Sequence, residues 1–311
     1  EETRYLRDDH HLAHRLQLRA DECRQAQQRQ EARESGRMVR VRNLPFQKNF
    51  EVVGKIGSGK HCKVYKVRNR GSSYLAAAKV VNWVNLTVDF HDTKALAILD
   101  HRHVVRIFEL FKDDTRLLCV MQLAPGGNLK QALKRRHEGG LKREHPTWER
   151  QVVFGCLQGL EYCHSLNPPV VRLDIKPENI LLLNEGEDLE AAPHAALGDW
   201  GLSQQIRAEP GPRRPARGCT STLVGPRRER TPQGDIFDLG AVVCFMLHLC
   251  EHPADVRKEF EKVFTQLFVD GMGRRVPEGH AAGAELAHLM VRTTPEARLT
   301  AAGCLEHPWM R

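Results

Sequence analysis

The pattern of apolar and polar residues divides the chain into three parts with different expected structures. Residues 1 to 36 place small or apolar side chains at spacings near three and four between Leu6 and Cys23, which predicts an amphipathic helix with a thin apolar stripe. Residues 40 to 120 carry short apolar runs typical of strands, together with one helical pattern from Val88 to Leu99. Residues 128 to 311 are mainly helical in pattern. A strand-rich part should therefore precede a larger helical part.

The strand-rich part contains a glycine loop. Two predicted strands, Phe50 to Ile56 and Val64 to Val67, flank the sequence Gly57-Ser58-Gly59. Glycines let the backbone approach phosphates without a Cβ in the way, although such a loop taken alone is more often an ordinary β-turn. The next predicted strand, Leu75 to Val81, carries the single lysine Lys79. A lysine in a buried strand requires an anionic partner.

Two short motifs in the helical part point to phosphate chemistry. The first is Asp174-Ile175-Lys176-Pro177-Glu178-Asn179, and the second is Gly198-Asp199-Trp200-Gly201. From one loop, an acid, a lysine and an asparagine at this spacing can orient a hydroxyl, neutralise phosphate and hold a metal ion. A second aspartate can bridge another metal ion to ATP. The order of the glycine loop, Lys79 and these motifs therefore predicts a phosphoryl-transfer site.

In this order the motifs resemble the eukaryotic protein kinases of serine/threonine type, over about residues 50 to 310. Three further segments fit the resemblance: a hinge strand at Leu118 to Leu129, a buried helix at Gly234 to Gly240 and a closing helix at Pro295 to Trp309. The resemblance implies an α+β, two-lobed kinase fold. The small lobe would span about 41–123 and the large lobe about 124–311, after a helical extension at 1–40.

The resemblance also assigns roles to individual residues. Asp174 would accept or orient the proton of a substrate hydroxyl, and Lys176 would steady the transferring phosphoryl group. ATP and Mg²⁺ would be the cofactors, with Asn179 and Asp199 holding the metal. The nucleotide would be bound by Ile56, Gly57, Ser58, Gly59, Val64, Ala77, Lys79, Asp92, Met121, Gln122 and Leu123.

The partner of Lys79 is left open at this point. The family has a glutamate where this chain has Asp92, and aspartate is one methylene shorter. Asp89, one turn earlier on the predicted helix, is the alternative partner. Either acid is equally interpretable as a solvent-facing residue of that helix.

The chain departs from the family pattern immediately before Asp174. Arg172 and Leu173 stand where the family usually has histidine and arginine. Because leucine cannot bind a phosphate, we predict activity without phosphorylation of the activation loop. A buried guanidinium at residue 172 needs an acceptor, and Asp235 is the candidate.

A second departure is Arg227, which replaces a glutamate that the family pairs with the equivalent of Arg298. We hypothesise that Glu229 supplies the lost carboxylate to Arg298. The Arg-rich leader, the sequence before Asp174 and Arg227 together resemble, more narrowly, the secreted rhoptry kinases of coccidian parasites. That resemblance implies secretion, host-protein substrates and an N-terminal helix packed on the small lobe. Without it, a cytoplasmic location is expected.

Charge and cysteine content add little to this picture. The net charge is +8, but the basic residues are spread widely, which argues against a nucleic-acid partner. The densest arginine cluster, between Arg213 and Arg230, is interpretable as a solvated loop or as a preference for acidic or phosphorylated protein partners. The nine cysteines favour core thiols over disulfides, and Cys62 in the glycine loop is a small-residue substitution or an accessible thiol. No apolar run is long enough to cross a bilayer.

Three function classes remain open. An active protein serine/threonine kinase is favoured, because Lys79, Asp174, Lys176, Asn179 and Asp199 are all present. A nucleotide-binding pseudokinase acting as a scaffold is the alternative, supported by the departures described above. A small-molecule kinase is less favoured, because the hinge and the Asp174 motif look like those of the protein-directed branch.

Overall fold

The fold was analysed in a computed structural model. It describes residues 41–42, 46–59, 62–82, 99–112, 116–139, 146–167, 169–184, 192–198, 204–205, 231–247 and 281–311. The helices predicted at residues 1–36 and 88–98 lie outside this range. So do Asp89, Asp92, Asp199 and Trp200 and the arginine-rich segment 213–230.

The small lobe is built on a six-stranded sheet with the strand order β1-β5-β6-β4-β3-β2. Its strands are β1 (Val41–Arg42), β2 (Phe50–Ser58), β3 (Cys62–Asn69), β4 (Leu75–Asn82), β5 (Ile107–Lys112) and β6 (Arg116–Met121). Neighbouring strands are antiparallel except β1 and β5, which are parallel. The predicted strands are confirmed, while β1 and β5 were not predicted.

The two faces of this sheet have different surroundings. Ala76 and Ala78 of β4 pack with an aromatic cluster in which the Phe46 ring lies 5.2 Å from that of Phe50 and 5.5 Å from that of Phe111. Successive side chains of a strand point to opposite faces. Lys79 therefore projects from the face opposite this aromatic core.

The large lobe is mainly helical in the described residues. Its helices are α1 (Leu129–Glu138), α2 (Pro146–His164), α3 (Pro232–Met246), α4 (Ala281–Met290) and α5 (Ala301–Leu305). Short antiparallel pairs join β8 (Ile180–Leu182) to β9 (Ala195–Leu197) and β7 (Val170–Val171) to β10 (Gln204–Gln205). A strand-rich small lobe followed by a helical large lobe is the predicted α+β, two-lobed architecture.

Two predicted helices of the large lobe are resolved in detail. Gly234 to Gly240 lie within α3 and are all buried. A helix segment that is buried on all sides does not need the polar, solvent-facing side of an amphipathic helix. The predicted closing helix is instead the short α5 between two 3-10 turns, Pro295–Ala297 and Pro308–Met310. Proline at the start of each turn removes an amide donor and limits a continuous helix. None of the helices described is both long and apolar enough to span a membrane.

The cysteines of the large lobe support the core-thiol interpretation. Cys156, Cys163, Cys244 and Cys304 are buried and form no disulfide. Burial raises the pKa of Cys156 and of Cys304 to about 12, so both thiols stay protonated and unreactive at neutral pH. Disulfides were the alternative, and the thiols described on α2 and α3 do not form one.

A buried histidine joins the two lobes. His103 precedes β5, and its Nδ1 lies 2.7 Å from the carbonyl oxygen of Ala195 in β9. The amide of Leu197 donates to the His103 carbonyl at 2.8 Å. The pKa of His103 is lowered to about 4, mainly by burial and also by the nearby His194, Arg102 and His101, against the opposing effect of the hydrogen bond to the Ala195 carbonyl.

We predict that protonation of His103 lowers the free energy of unfolding as the pH falls. Its folded-state pKa of about 4 lies below the ordinary 6.5, so its contribution is complete above pH 6.5 and is lost as the pH falls from 6.5 to about 4. The full loss would be about 3 kcal/mol. His103→Asn replaces the ring N–H donor by an amide N–H donor and introduces no group that titrates. Urea unfolding at several pH values should show a shallower pH dependence for the variant, and parallel curves would contradict this account.

Candidate active site

Asp235 of α3 carries a buried carboxylate that contacts three other residues. It is 1% exposed, and its Oδ2 accepts the backbone amide of Arg172 at 2.7 Å. Its Oδ1 accepts the backbone amide of Leu173 at 2.8 Å. The Nε2 of His164, at the end of α2, lies 3.0 Å from Oδ2. One buried side chain therefore fixes the two residues that precede Asp174.

This geometry corrects one sequence expectation. We expected Asp235 to be the acceptor for the Arg172 guanidinium, whereas the hydrogen bonds described for this carboxylate go to two backbone amides and an imidazole. Those donors occupy both oxygens of the carboxylate. His164 was not predicted from the sequence, although a polar ring at the end of an apolar helix was an available signal.

Leu173 adopts an unusual backbone conformation at this point. Its φ is 65°, in the left-handed region that L-residues with side chains rarely enter. Such a conformation costs about 1–2 kcal/mol for a residue with a Cβ. The hydrogen bond from the Leu173 amide to Asp235 holds it there. The chain consequently turns sharply just before Asp174.

The three loop residues singled out by the first motif lie together. The Nζ of Lys176 is 2.8 Å from Oδ2 of Asp174. The Asn179 amide nitrogen donates to the same Oδ2 at 2.9 Å and to the Asp174 carbonyl at 2.8 Å. A 3-10 turn at Pro177–Asn179 makes this possible by folding Asn179 back over Asp174. The Asp174 carboxylate is thus held in one orientation by its own loop.

The second motif begins beside this loop. The amide of Gly198 donates to the carbonyl of Asn179 at 2.9 Å. Ile180 of β8, which follows Asn179, pairs with Leu197 of β9, which precedes Gly198. The β8–β9 hairpin therefore positions the start of the second motif against the first. Asp199 itself is outside the described residues.

Several predicted nucleotide-binding residues share one face of the small-lobe sheet. Lys79 of β4 lies opposite Val64 of β3, and Ala77 lies opposite Met121 of β6. Directly paired residues on neighbouring strands point to the same face. Lys79, Val64, Ala77 and Met121 therefore form a continuous patch on the side away from the aromatic core.

The glycine loop and the hinge border this patch. Gly57 lies opposite Val64, and Ile56 and Ser58 flank it at the end of β2. The Gly59 amide donates to the Cys62 carbonyl at 2.9 Å, so the loop is a tight turn of a hairpin. On the other side, Gln122 and Leu123 follow β6 and are half-buried. Gln122 donates its amide to the Arg106 carbonyl at 2.9 Å.

Two predicted ion pairs involve residues outside the described range. Lys79 is half-buried, and its candidate partners Asp92 and Asp89 are not described. Arg298 is 8% exposed and donates to the carbonyls of Arg292, Gln233 and Thr293 at 2.7, 3.0 and 3.2 Å. The hypothesised contact of Arg298 with Glu229 stays a prediction.

The chain is similar in sequence to known proteins. The protein kinase domain family matches residues 50–310. Aurora kinase C of Mus musculus is 28% identical over 273 residues, which are 85% of this chain and 92% of the relative. A putative ribosomal protein S6 kinase alpha-1 of Caenorhabditis elegans is 26% identical, over 86% of this chain and 34% of the relative. The calcium/calmodulin-dependent protein kinase type II alpha chain of Drosophila melanogaster is 24% identical, over 85% of this chain and 50% of the relative.

A solved structure shows the same fold. The twitchin kinase region from C. elegans superimposes with a TM-score of 0.66 at 18% identity, over 88% of this chain and 48% of that chain. The two chains share a two-lobed fold. The chain belongs to the protein kinase domain family. That family implies ATP and Mg²⁺ as cofactors and proteins as substrates.

We predict that Asp235→Asn destabilises the protein. An asparagine amide nitrogen would face one of the two backbone amides, leaving a buried donor without an acceptor. The expected loss is about 2–4 kcal/mol of unfolding free energy, measured by urea denaturation. Asp100→Asn, at a partly exposed loop position, is the matched control and should change stability by less than about 0.5 kcal/mol. Equal stability of the two variants would refute the role given to Asp235.

Proposed function

We propose that this chain is an active protein kinase that transfers the γ-phosphoryl group of ATP to serine or threonine hydroxyls of proteins. The observation that carries the proposal is the Asp174 carboxylate, held by Lys176 and Asn179 on a loop that Asp235 fixes. The serine/threonine kinases among the relatives support the choice of acceptor.

The loop geometry gives each residue a defined task. Asp174 would orient the acceptor hydroxyl and accept its proton. Lys176 contacts the Asp174 carboxylate, so its ammonium would lie beside the phosphoryl group that approaches that hydroxyl. Lys79 would bind the α- and β-phosphates from the opposite lobe.

The oxygen atoms available at the loop suit magnesium. The Asn179 nitrogen makes both described bonds to Asp174, which directs the amide oxygen away from that carboxylate. Amide and carboxylate oxygens are the ligands that Mg²⁺ prefers, so Asn179 and Asp199 would hold it. When bound, the ion neutralises charge on the phosphates and helps to orient them.

Leu173 underlies the proposal that the activation loop needs no phosphate. Its side chain is apolar and 7% exposed, so it offers a phosphate neither charge nor a hydrogen-bond donor. The conformation of the turn is already fixed by the bond from the Leu173 amide to Asp235.

Sequence features alone extend the proposal to substrates and location. The arginine cluster between residues 213 and 230 favours acidic or phosphorylated protein partners. The narrower resemblance to rhoptry kinases adds host-derived substrates, a secreted location and an N-terminal helix that packs on the small lobe. The leader, Arg227 and the arginine cluster lie outside the described range, whereas Arg172 and Leu173 lie within it.

A nucleotide-binding scaffold is the second candidate function. Leu173 and Cys62, which alter the catalytic turn and the glycine loop, favour it. The scaffold would bind nucleotide through the same sheet face but would transfer no phosphate.

We predict that Asp174→Asn lowers the rate of phosphoryl transfer by about 10²–10⁴-fold, because a neutral amide cannot accept the hydroxyl proton. ATP binding, followed by the nucleotide-induced rise in melting temperature, should stay within about twofold of wild type, since Lys79 and the glycine loop are unchanged. Glu285→Gln, on the exposed surface of α4, is the control for a lost charge. Full activity of Asp174→Asn would remove this residue from the mechanism.

We further predict that phosphatase treatment leaves the transfer rate unchanged. The physical reason is that the Leu173 side chain has neither a charge nor a hydrogen-bond donor with which to bind a phosphate on the activation loop. The rate is measured on one preparation before and after complete dephosphorylation, with mass spectrometry confirming removal. A large fall in rate that reverses on rephosphorylation would show that another residue reads the phosphate.

A further inference from the structure

Helix α1 carries an exposed basic stripe. Lys130, Lys134 and His137 are all exposed and follow one another at spacings of four and three, which places them on one side of the helix. We call these three residues the α1 basic face. The helix contains one acidic residue, Glu138, whose Oε1 lies 3.6 Å from the Nζ of Lys134.

The α1 basic face is fixed next to the catalytic loop. The N-terminus of α1 is closed by a capping box between Asn128 and Gln131. Just before it, the amide of Gly126 donates to the Leu182 carbonyl at 3.1 Å, and the amide of Leu182 donates to the Gly127 carbonyl at 2.8 Å. Gly127 has a φ of 73°, which a glycine adopts without strain. These bonds attach α1 to β8, which directly follows Asn179.

One contact connects the face to the loop itself. The Nζ of Lys130 lies 2.8 Å from Oε1 of Glu178, between Pro177 and Asn179 of the catalytic loop. Burial raises the pKa of Glu178, but the hydrogen bond from Lys130 and the charges of Lys130 and Lys176 outweigh it, so the net pKa is lowered. Glu178 is therefore ionised and paired at neutral pH.

Each carboxylate in α1 and in residues 172–179 has a lysine within ion-pair distance. Asp174 pairs with Lys176, Glu178 with Lys130 and Glu138 with Lys134. A basic substrate residue would have to displace one of these lysines before it could bind a carboxylate. An acidic residue would meet ammonium groups that are still accessible, since the Lys130 and Lys134 side chains are 63% and 74% exposed.

We propose that the α1 basic face binds acidic residues that flank the acceptor hydroxyl of the protein substrate, a specificity that rests on the kinase function proposed above. An ammonium group has three donors, so Lys130 can bond a substrate carboxylate while it keeps Glu178. The pair with Glu178 both orients Lys130 and removes the negative charge that would attract basic substrates.

The test compares two synthetic peptides with the same central serine, one flanked by glutamates and the other by lysines. The ratio of their kcat/KM values is measured for the wild-type chain at low and high salt. It should favour the acidic peptide, and salt should reduce the preference. Lys130→Glu combined with Lys134→Glu should lower the ratio by about 10-fold or more, since each exposed ion pair contributes about two- to fivefold and reversal adds repulsion. Lys48→Glu, the same charge reversal of a single lysine at an exposed small-lobe position, should leave the ratio within about twofold.

A second pair of variants isolates the role of Glu178. Lys130→Ala should expose the Glu178 carboxylate and raise kcat/KM for the lysine peptide by about two- to fivefold. Adding Glu178→Gln should abolish that gain. Unchanged ratios in all of these variants, with both peptides phosphorylated, would overturn the docking proposal and leave the kinase function intact.

Absence of phosphorylation of either peptide would count against the kinase function instead. The docking proposal is then decided by fluorescence anisotropy of the same labelled peptides on the full chain. Tighter binding of the acidic peptide that is lost in the Lys130→Glu, Lys134→Glu variant supports it. Equal binding of the two peptides contradicts it.

Discussion

The active-site arrangement depends on one buried carboxylate. Asp235 accepts two consecutive backbone amides, from Arg172 and Leu173, and also contacts the ring of His164. An ionised group in a buried position is tolerated only when its oxygens are satisfied, and here these contacts join three segments of the chain. Helices α2 and α3 and the catalytic loop meet at this side chain. The orientation of Asp174 follows from that junction.

The junction also explains how a strained turn can persist. Leu173 has a left-handed backbone without being glycine, at a cost that the bond to Asp235 offsets. Beyond the turn, the side chains of Lys176 and Asn179 return to Asp174, and β8 is hydrogen-bonded to the loop that precedes α1. Catalytic geometry and the charged surface beside it are therefore set by the same short stretch of sequence.

The sequence predicted the elements with strong local signals. It predicted most strands of the small lobe, the buried helix around Asp235, and the grouping of Asp174, Lys176 and Asn179. These predictions succeeded because periodicity and spacing are local properties. The pairing of β1 with β5 and the contact of Lys130 with Glu178 were not, since both join residues far apart in sequence. The acceptor role of Asp235 was expected, but its donors were misassigned, because backbone amides carry no sequence signature.

The central claim is that this organised loop transfers phosphate, and the most direct measurement is phosphoamino-acid analysis after incubation of the purified wild-type chain with γ-labelled ATP and magnesium. One acidic protein, such as casein, and one basic protein serve as acceptors. The account predicts label on serine or threonine. An absence of label, although ATP raises the melting temperature of the chain, would contradict it and identify a nucleotide-binding scaffold.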